Sequence, residues 1–347
     1  MKPVILITIG DPAGIGPEIA IKALGHSEVY EKCIPVLVAD RPVIERTVAS
    51  IGSTFRLNSI REPAEAQGTL GTINYIDIGI IRDESYKIGE VSALCGHAAF
   101  AYVVKGIELA MEHKVGAVVT GPINKEAINL AGHHYSGHTE IFADYTHTRQ
   151  YGMLLVTKNL RVIHVTTHVS MRNACDLITK ERVLNTIHLA AEALREMGMQ
   201  GSRIAVAGLN PHASENGLFG SEELNAIIPA IKAANTEGLP VEGPLPPDTV
   251  FAKAMAGQYA IVIAMYHDQG HIPVKLSGFK MDPLTGMFTS VSGINCTVGL
   301  PIIRTSVDHG TAFDLAGQGT ANEESLLDAI DMAIVMAENR KTRSITQ

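Results

Sequence analysis

The feature that most constrains the fold is a run of apolar residues that ends abruptly in a polar cluster. Residues 260–265 read AIVIAM, the length and composition of a buried strand, and YHDQG follows at residues 266–270. We expect Gly270 to release the chain into a turn. The chain repeats this pattern at least four more times, and two of the repeats also deliver a histidine. Open α/β sheets place their chemistry at the carboxyl ends of buried strands, so the pattern predicts an α/β fold with a site there.

The bulk composition is that of a folded protein of the cytoplasm. The 347 residues exceed one usual core, which favours two subdomains or one large α/β unit. The 46% of hydrophobic and 18% of charged residues argue against disorder. A net charge of −8 without a basic run argues against a nucleic-acid partner. The longest apolar runs are strand-sized, so neither a membrane span nor a signal peptide is expected. Four scattered cysteines without CxxC indicate reduced thiols.

Alternating strand and helix patterns suggest how the domains are built. Alternation runs from the start to about residue 131 and again from residue 201. We therefore predict a composite domain of residues 1–131 plus 201–347, with residues 132–200 as the central part of a second domain. Two strands at 152–157 and 161–167 are expected to form a hairpin, and residues 278–293 a loop or hairpin.

A glycine-rich loop follows the first predicted strand. Residues 10–18 read GDPAGIGPE, and Pro17 suits a first helical turn. The loop either faces a phosphate or cofactor at a helix N-terminus, or is a tight strand-to-helix turn. It is not a GxGxxG fingerprint, so the usual dinucleotide argument does not apply.

Residues 132–140, GHHYSGHTE, contain three histidines in six residues. Such a cluster suggests a metal, but a loop rich in glycine and hydroxyls equally suits a polar substrate. We favour substrate binding for His138 and Thr139, and a bystander role for His133 and His134.

Three histidines each follow an apolar, strand-like run: His168, His212 and His267. Three imidazoles with an open position are a catalytic pattern for zinc and other transition metals. Asp248 and Asp268 are natural partners to orient such rings. The alternative is that each histidine is a hydrogen-bonded polar residue at a strand end.

A metal with one open face serves two broad chemistries. It can activate water, or hold a hydroxy acid and stabilise a developing alkoxide or enolate. Lys275 and Arg304 favour a substrate that carries carboxylate or phosphate. A metal-dependent hydrolase or aldolase would use these histidines alone, and a non-catalytic sugar-phosphate binder is a further class.

Seven motifs in order resemble one known family. They are GDPAGIGPE at residues 10–18, TGP with a following lysine at 120–125, GHTE at 137–140, TTH at 166–168, LNPH at 209–212, YHDQG at 266–270 and RTSVDHGTA at 304–312. From Ile5 to about Ala333 the chain is similar to 4-hydroxythreonine-4-phosphate dehydrogenase, the PdxA family of vitamin B6 synthesis.

The resemblance implies a fold, a reaction and a set of residues. The fold would be a three-layer α/β/α structure with two subdomains and a cleft, related to isocitrate and isopropylmalate dehydrogenases. The enzyme would be an obligate homodimer with shared active sites, and the second subdomain would form the dimer. It would oxidise a secondary alcohol with NAD and then release carbon dioxide. The resemblance assigns metal binding to His168, His212 and His267 from both subunits, with Asp248 and Asp268 as supporting residues. It assigns substrate binding to His138, Thr139, Lys275, Asn295 and Arg304. It assigns NAD binding to His309, Gly310, Thr311 and Asn322.

Metal and cofactor identity follow from residue chemistry. Three imidazoles favour zinc, with magnesium, manganese and cobalt left open. The sequence has no basic cluster suited to the 2′-phosphate of NADP, which favours NAD over NADP.

One segment departs from the vitamin B6 enzymes. Residues 280–292 form an insertion where those enzymes have a shorter link, and Lys275 and Asn295 flank it. The longer form resembles a second branch, which oxidises 4-phospho-D-threonate or 4-phospho-D-erythronate to dihydroxyacetone phosphate and carbon dioxide in sugar-acid catabolism. We favour this branch, with the vitamin B6 reaction as the alternative.

Overall fold

The computed structural model describes residues 2–83, 85–281, 283 and 288–346. Within the insertion at 280–292, Asp282 and residues 284–287 lie outside the described residues. The chain divides into two units, Met1–Arg149 with Leu300–Gln347, and Gln150–Gly299.

Strands and helices alternate along most of the described chain. The strands are β1 (Val4–Thr8), β2 (Ile34–Ala39), β3 (Arg56–Ser59), β4 (Thr72–Asp77), β5 (Ala117–Thr120), β6 (Gly152–Val156), β7 (Arg161–His164), β8 (Ile204–Ala207), β9 (Val241–Leu245), β10 (Ile261–Ala264), β11 (Phe279–Met281), β12 (Phe288–Val291), β13 (Ile294–Val298) and β14 (Arg304–Val307). The helices are α1 (Gly16–Ala23), α2 (Ser27–Lys32), α3 (Arg41–Ser50), α4 (Ala93–Met111), α5 (Lys125–Leu130), α6 (His138–Tyr145), α7 (Met171–Asp176), α8 (Lys180–Glu196), α9 (Ile228–Thr236), α10 (Pro247–Met255), α11 (His267–Gly278) and α12 (Glu324–Thr346). The predicted α/β class is confirmed.

The first unit is built on six parallel strands in the order β3-β4-β2-β1-β5-β14. Register places Ile5 beside Ala117 and Thr8 beside Thr120. Strands β1 and β2 are apolar along nearly their whole length, because parallel strands covered on both faces need no alternation. Their carboxyl ends meet at one edge, which gathers the loops after β1, β5 and β14.

Helix α4 is the core helix of this unit. Among the described residues it alone has the length and mean hydropathy of a membrane-crossing helix. It packs on β1, β2 and β5, and Tyr102 and Val103 are fully buried. Its apolar composition is accounted for by this burial within the unit.

The second unit is built on a mixed sheet in the order β13-β6-β7-β10-β8-β9. Strands β6 and β7 pair antiparallel, which confirms the predicted hairpin. Strands β7, β10, β8 and β9 run parallel. The loops after β7, β8 and β10 therefore leave from the same edge, and these loops carry the three histidines predicted as metal ligands.

Two features of this unit differ from what the sequence patterns predict. Gly270 does not release a turn but lies within α11. A glycine is needed at this position because the helix backbone closely approaches His164. Residues 201–299, which we assigned to the composite domain, lie with 150–200, because β8 and β10 join the sheet beside β7.

Strands β11 and β12 form the hairpin that was one of two expectations for residues 278–293.

Candidate active site

The amino end of α11 presents the first of the predicted ligands. His267 opens the helix, and its Nδ1 lies 2.7 Å from Asp268 Oδ1. Because a carboxylate only accepts, Nδ1–H is the donor and the Nε2 lone pair is left for another partner. A carboxylate on one nitrogen and an available lone pair on the other is the usual arrangement of a metal-binding histidine.

A cleft of about 360 Å³ lies in front of this histidine. His168 and His267 both line it, with ring centroids 5.6 Å apart, and Asp268 and Ser170 complete its polar wall. All of these residues follow β7 or β10 in the chain. Because β7 and β10 are parallel neighbouring strands, their carboxyl ends bring the residues together, as the sequence pattern predicts.

Two residues that we did not single out hold the neighbouring loops. Gln269 accepts a hydrogen bond from Met265 N at 2.6 Å and donates to Gly208 O at 2.8 Å. Buried Glu223 accepts from the amides of Leu209 and Asn210, each at 2.8 Å. The loop after β8 is thus fastened to the start of α11 and to the following helix.

His212 lies on that loop in an unusual backbone conformation. Its φ is +54°, and residues 213–216 also have positive φ values. None of these residues is glycine, so the left-handed conformation is strained. Strained backbone of this kind clusters at functional sites, which is consistent with a role for His212.

Imidazole and carboxylate donors here fit a divalent transition metal. In the described part of one chain, however, no group of three or more His, Cys, Asp or Glu side chains is arranged to hold an ion. The structure therefore brings His168 and His267 to one cleft without adding His212 to them. Asp248 is exposed in the first turn of α10, and no hydrogen bond joins it to a histidine among the described residues.

Arg304, the first residue of β14, is the centre of a second group in the first unit. It is 2% exposed, donates from Nη2 to Thr120 Oγ1 at 2.8 Å, and its guanidinium lies 5.6 Å from the Phe142 ring centroid. His138 begins α6 beside it. Burial, with the nearby Arg304 charge, holds the pKa of His138 well below its usual value, so its ring is neutral. A buried cation beside a neutral imidazole suits an anionic substrate group.

The three histidines of residues 133–138 do not form one cluster. His133 stacks on Phe100 with centroids 3.7 Å apart, and His134 Nδ1 lies 3.2 Å from Asn129 Oδ1. His138 alone lies beside Arg304. His133 therefore packs on a ring, while His134 is an exposed residue with a local contact.

The remaining predicted substrate residues are spread over three elements. Thr139 is in the first turn of α6. Lys275 is in the last turn of α11, with Nζ 4.3 Å from the Phe279 ring centroid. Asn295 is half-buried on β13, opposite Leu155 of β6. Lys275 and Asn295 flank the hairpin of β11 and β12.

The glycine-rich loop after β1 packs against the loop after β14. Ile15 N donates to Thr311 O at 2.9 Å, and a Cβ on Gly14 would lie 2.9 Å from Thr311 Cβ. A Cβ on Gly16 would lie 2.0 Å from Ile9 O. These glycines permit close backbone packing, which favours the tight-turn interpretation of residues 10–18.

Helix α1 also fastens the loop predicted to hold the cofactor, residues 309–322. Buried Glu18 accepts from Gly319 N at 3.1 Å and Ala321 N at 2.7 Å. Its partner Lys22, 2.9 Å away, donates to the carbonyls of the same two residues. Gly310 and Asn322 remain exposed on this loop, and a Cβ on Gly310 would meet nothing within 4 Å. A fastened loop with exposed backbone and amide groups fits a nucleotide.

Asp11 is a buried carboxyl within the glycine-rich loop. Its Oδ1 accepts from Ala13 N at 2.9 Å, and its amide donates to Pro122 O at 2.9 Å. Burial raises the pKa of Asp11 to about 6. The loop therefore carries a carboxyl that titrates near neutral pH.

Comparison with known proteins gives a consistent result. A family model described as "Pyridoxal phosphate biosynthetic protein PdxA" matches residues 31–333. A Cupriavidus necator protein named D-threonate 4-phosphate dehydrogenase is 46% identical over 97% of this chain and 98% of its own length. The solved structure of 4-hydroxythreonine-4-phosphate dehydrogenase from Klebsiella pneumoniae is 45% identical, with a TM-score of 0.86 and coverage of 97% of this chain and 98% of that one. A Burkholderia phymatum structure of the same name is 44% identical, with a TM-score of 0.84 and the same coverage of both chains.

Proposed function

The chain belongs to the PdxA family, and on that premise we propose that it catalyses metal- and NAD-dependent oxidative decarboxylation of a four-carbon phosphorylated hydroxy acid. The favoured substrates are 4-phospho-D-threonate and 4-phospho-D-erythronate, and the products are dihydroxyacetone phosphate and carbon dioxide. The chain is a dehydrogenase that acts on CH–OH groups, as its relatives are named.

One observation carries the choice of substrate. The Cupriavidus necator relative matches nearly the whole of both chains and is named for D-threonate 4-phosphate. The insertion at residues 280–292 supports the same choice, since its longer form resembles that branch and it lies between Lys275 and Asn295. The alternative substrate is that of vitamin B6 synthesis, 4-hydroxythreonine 4-phosphate, because the similar solved structures are named for it.

Some site residues would bind the substrate or the metal, and others would orient the binding residues. Arg304, with His138 and Thr139, binds the anionic ends of the substrate. Asp268 holds His267 with Nε2 available. His168, His212 and His267 would hold the divalent ion, zinc by preference, with donors from both chains of a homodimer. When bound, the ion supplies the Lewis acidity that favours loss of the hydroxyl proton.

The reaction balances without a further oxidant. Residues 309–322 would hold NAD, which would supply the acceptor for the hydride of the substrate carbon. The resulting β-keto acid loses carbon dioxide and takes up a proton. Lys275 either binds an anion or transfers that proton. Cytoplasmic location remains a prediction.

The proposal is tested by absorbance of reduced nicotinamide with purified protein, divalent metal and each phosphoacid. We expect NADH, dihydroxyacetone phosphate and carbon dioxide in equal amounts from 4-phospho-D-threonate or 4-phospho-D-erythronate, and less with NADP. A higher kcat/KM for 4-phosphohydroxy-L-threonine would instead support the vitamin B6 reaction. Product without nicotinamide reduction would support a metal-dependent hydrolase or aldolase.

A further inference from the structure

A column of three neighbouring histidines, of which two are stacked and the third is tilted against them, lies in the second unit beside the cleft residue His267. His271 follows His267 by one turn of α11, and their rings are nearly parallel, with centroids 3.6 Å apart and an interplanar angle of 12°. His271 Nδ1 lies 3.0 Å from His267 O; since a carbonyl only accepts, Nδ1–H is the donor. The His271 ring is thereby fixed against the face of His267.

His164 forms the base of the column. It is the last residue of β7, it is 5% exposed, and its ring centroid lies 4.7 Å from that of His271. Among the described residues neither of its ring nitrogens has a hydrogen-bond partner of good geometry, and the backbone at Met153 and His267 makes only weaker contacts with the ring. An enclosed imidazole without such partners costs free energy relative to an apolar side chain, so its presence calls for an explanation.

Gly270 makes the column possible. A Cβ at this position would lie 2.3 Å from His164 Nε2 and 2.7 Å from Val162 Cγ1. Only glycine allows α11 to approach β7 this closely. The glycine of the YHDQG motif thus leaves the space that the His164 imidazole occupies beneath α11.

We propose that His271 and His164 are positioning residues that hold the His267 ring so that its Nε2 faces a divalent transition metal. The inference rests on the proposed function, which places a metal at His267. Asp268 fixes the tautomer of His267 through one ring edge, and the column fixes the plane of the ring. A ring held in both ways loses little rotational freedom when it binds an ion, so the column increases metal affinity.

The test is titration of the full-length, metal-stripped protein with Co²⁺, followed by visible absorption. Loss of an outer partner of a ligand typically costs about 10–100-fold in metal affinity, and we expect this range for His271→Ala. His271→Phe keeps the stack and should recover most of the affinity. His164→Leu replaces an imidazole without hydrogen bonds of good geometry by an apolar side chain of similar volume. It should leave the melting temperature unchanged or higher while weakening Co²⁺ binding about 10-fold, the lower end of outer-partner effects.

His188→Ala is the matched control, because His188 is an exposed histidine of the same unit, paired with Glu237. It should bind Co²⁺ as the wild type does. Wild-type affinity and an unchanged spectrum in both His271→Ala and His164→Leu would overturn the inference while leaving the proposed metal site intact. If His271→Ala does not fold, His164→Leu decides by the same criterion. A wild-type protein that binds no Co²⁺ would contradict the metal site, and the inference with it.

Discussion

Two candidate regions of this protein are held in place by different means. In the first unit, the buried carboxyl of Glu18 fastens the loop at 309–322 through the amides of Gly319 and Ala321, while the carboxyl of Asp11 holds the turn at Ala13. In the second unit, His267 is held by its own helix, through Asp268 next to it and His271 one turn later. Glu18 thus joins distant segments, whereas the contacts of Asp11 and His267 are local.

The difference bears on what each substitution should change. Removing a carboxyl that fastens a loop should alter stability and its pH dependence, because a backbone segment is released. Removing a side chain at the histidine cleft should alter metal binding with little loss of fold, because the backbone there is held by α11 and Gln269. The four predictions below test this contrast, from the largest expected effect to the smallest.

Replacing His212 or His267 with alanine should abolish metal binding and turnover. Each removes one of three proposed imidazole ligands, and neither ring is buried in a core. Turnover by NADH absorbance and bound metal by elemental analysis measure the effect, and circular dichroism should show an intact fold. Full activity in a metal-stripped His212→Ala protein would contradict the assignment.

Replacing Asp11 with asparagine should stabilise the protein above pH 6 and have little effect below pH 4. Burial raises the pKa of Asp11 from 3.8 to about 6, so the folded state binds a proton that the unfolded chain has released between these values. The free energy of unfolding of the wild type therefore falls by up to about 3 kcal/mol as pH rises through this window.

Asparagine has no such titration and keeps an oxygen for Ala13 N. Urea unfolding of both proteins from pH 4 to 8 measures the difference. A constant difference across this range would show that Asp11 is not the titrating group.

Replacing Gly270 with alanine should destabilise the second unit by about 1–3 kcal/mol, the usual cost of overpacking. The added methyl would lie 2.3 Å from the buried His164 Nε2. Adding His164→Ala should recover much of the loss, because it vacates the space. Thermal melts of the two single variants and the double variant measure the coupling; additive losses would place the strain elsewhere.

Replacing Glu18 with glutamine should loosen the 309–322 loop. Glutamine keeps one accepting oxygen but loses the ion pair with Lys22. A loss of about 1.4 kcal/mol corresponds to about a tenfold weaker affinity for NAD. The KM for NAD should rise while the KM for the phosphoacid stays close to wild type. Glu31→Gln, an exposed carboxylate of the same unit, serves as the control. Equal changes in both KM values would argue against a cofactor role for this loop.

Local patterns were sufficient for much of the fold. The apolar runs at β1, β2, β7, β8 and β10 and the long helices α4, α8 and α12 lie where periodicity places them. Histidines at the ends of β7 and β10 meet because those strands are parallel neighbours. The domain division was not accessible, since it depends on which distant strands pair.

Residues that act across long sequence separations were the ones missed. Glu223 and Gln269 hold the loop after β8 from elsewhere in the chain, and Glu18 reaches residues about 300 positions away. His164 shares strand parity with His168, but its ring contact with His271 depends on the approach of α11. Gly270 illustrates the limit, because a glycine after a polar cluster suggests a turn, and only the packed neighbour reveals its role.

The central claim is tested most directly by anomalous X-ray scattering at the zinc edge from crystals of the zinc-loaded protein. The account predicts one strong peak per active site, within about 2.0–2.1 Å of a nitrogen of His168, His212 and His267, with both chains of a dimer contributing. A peak on other residues, or none at these histidines, would contradict it.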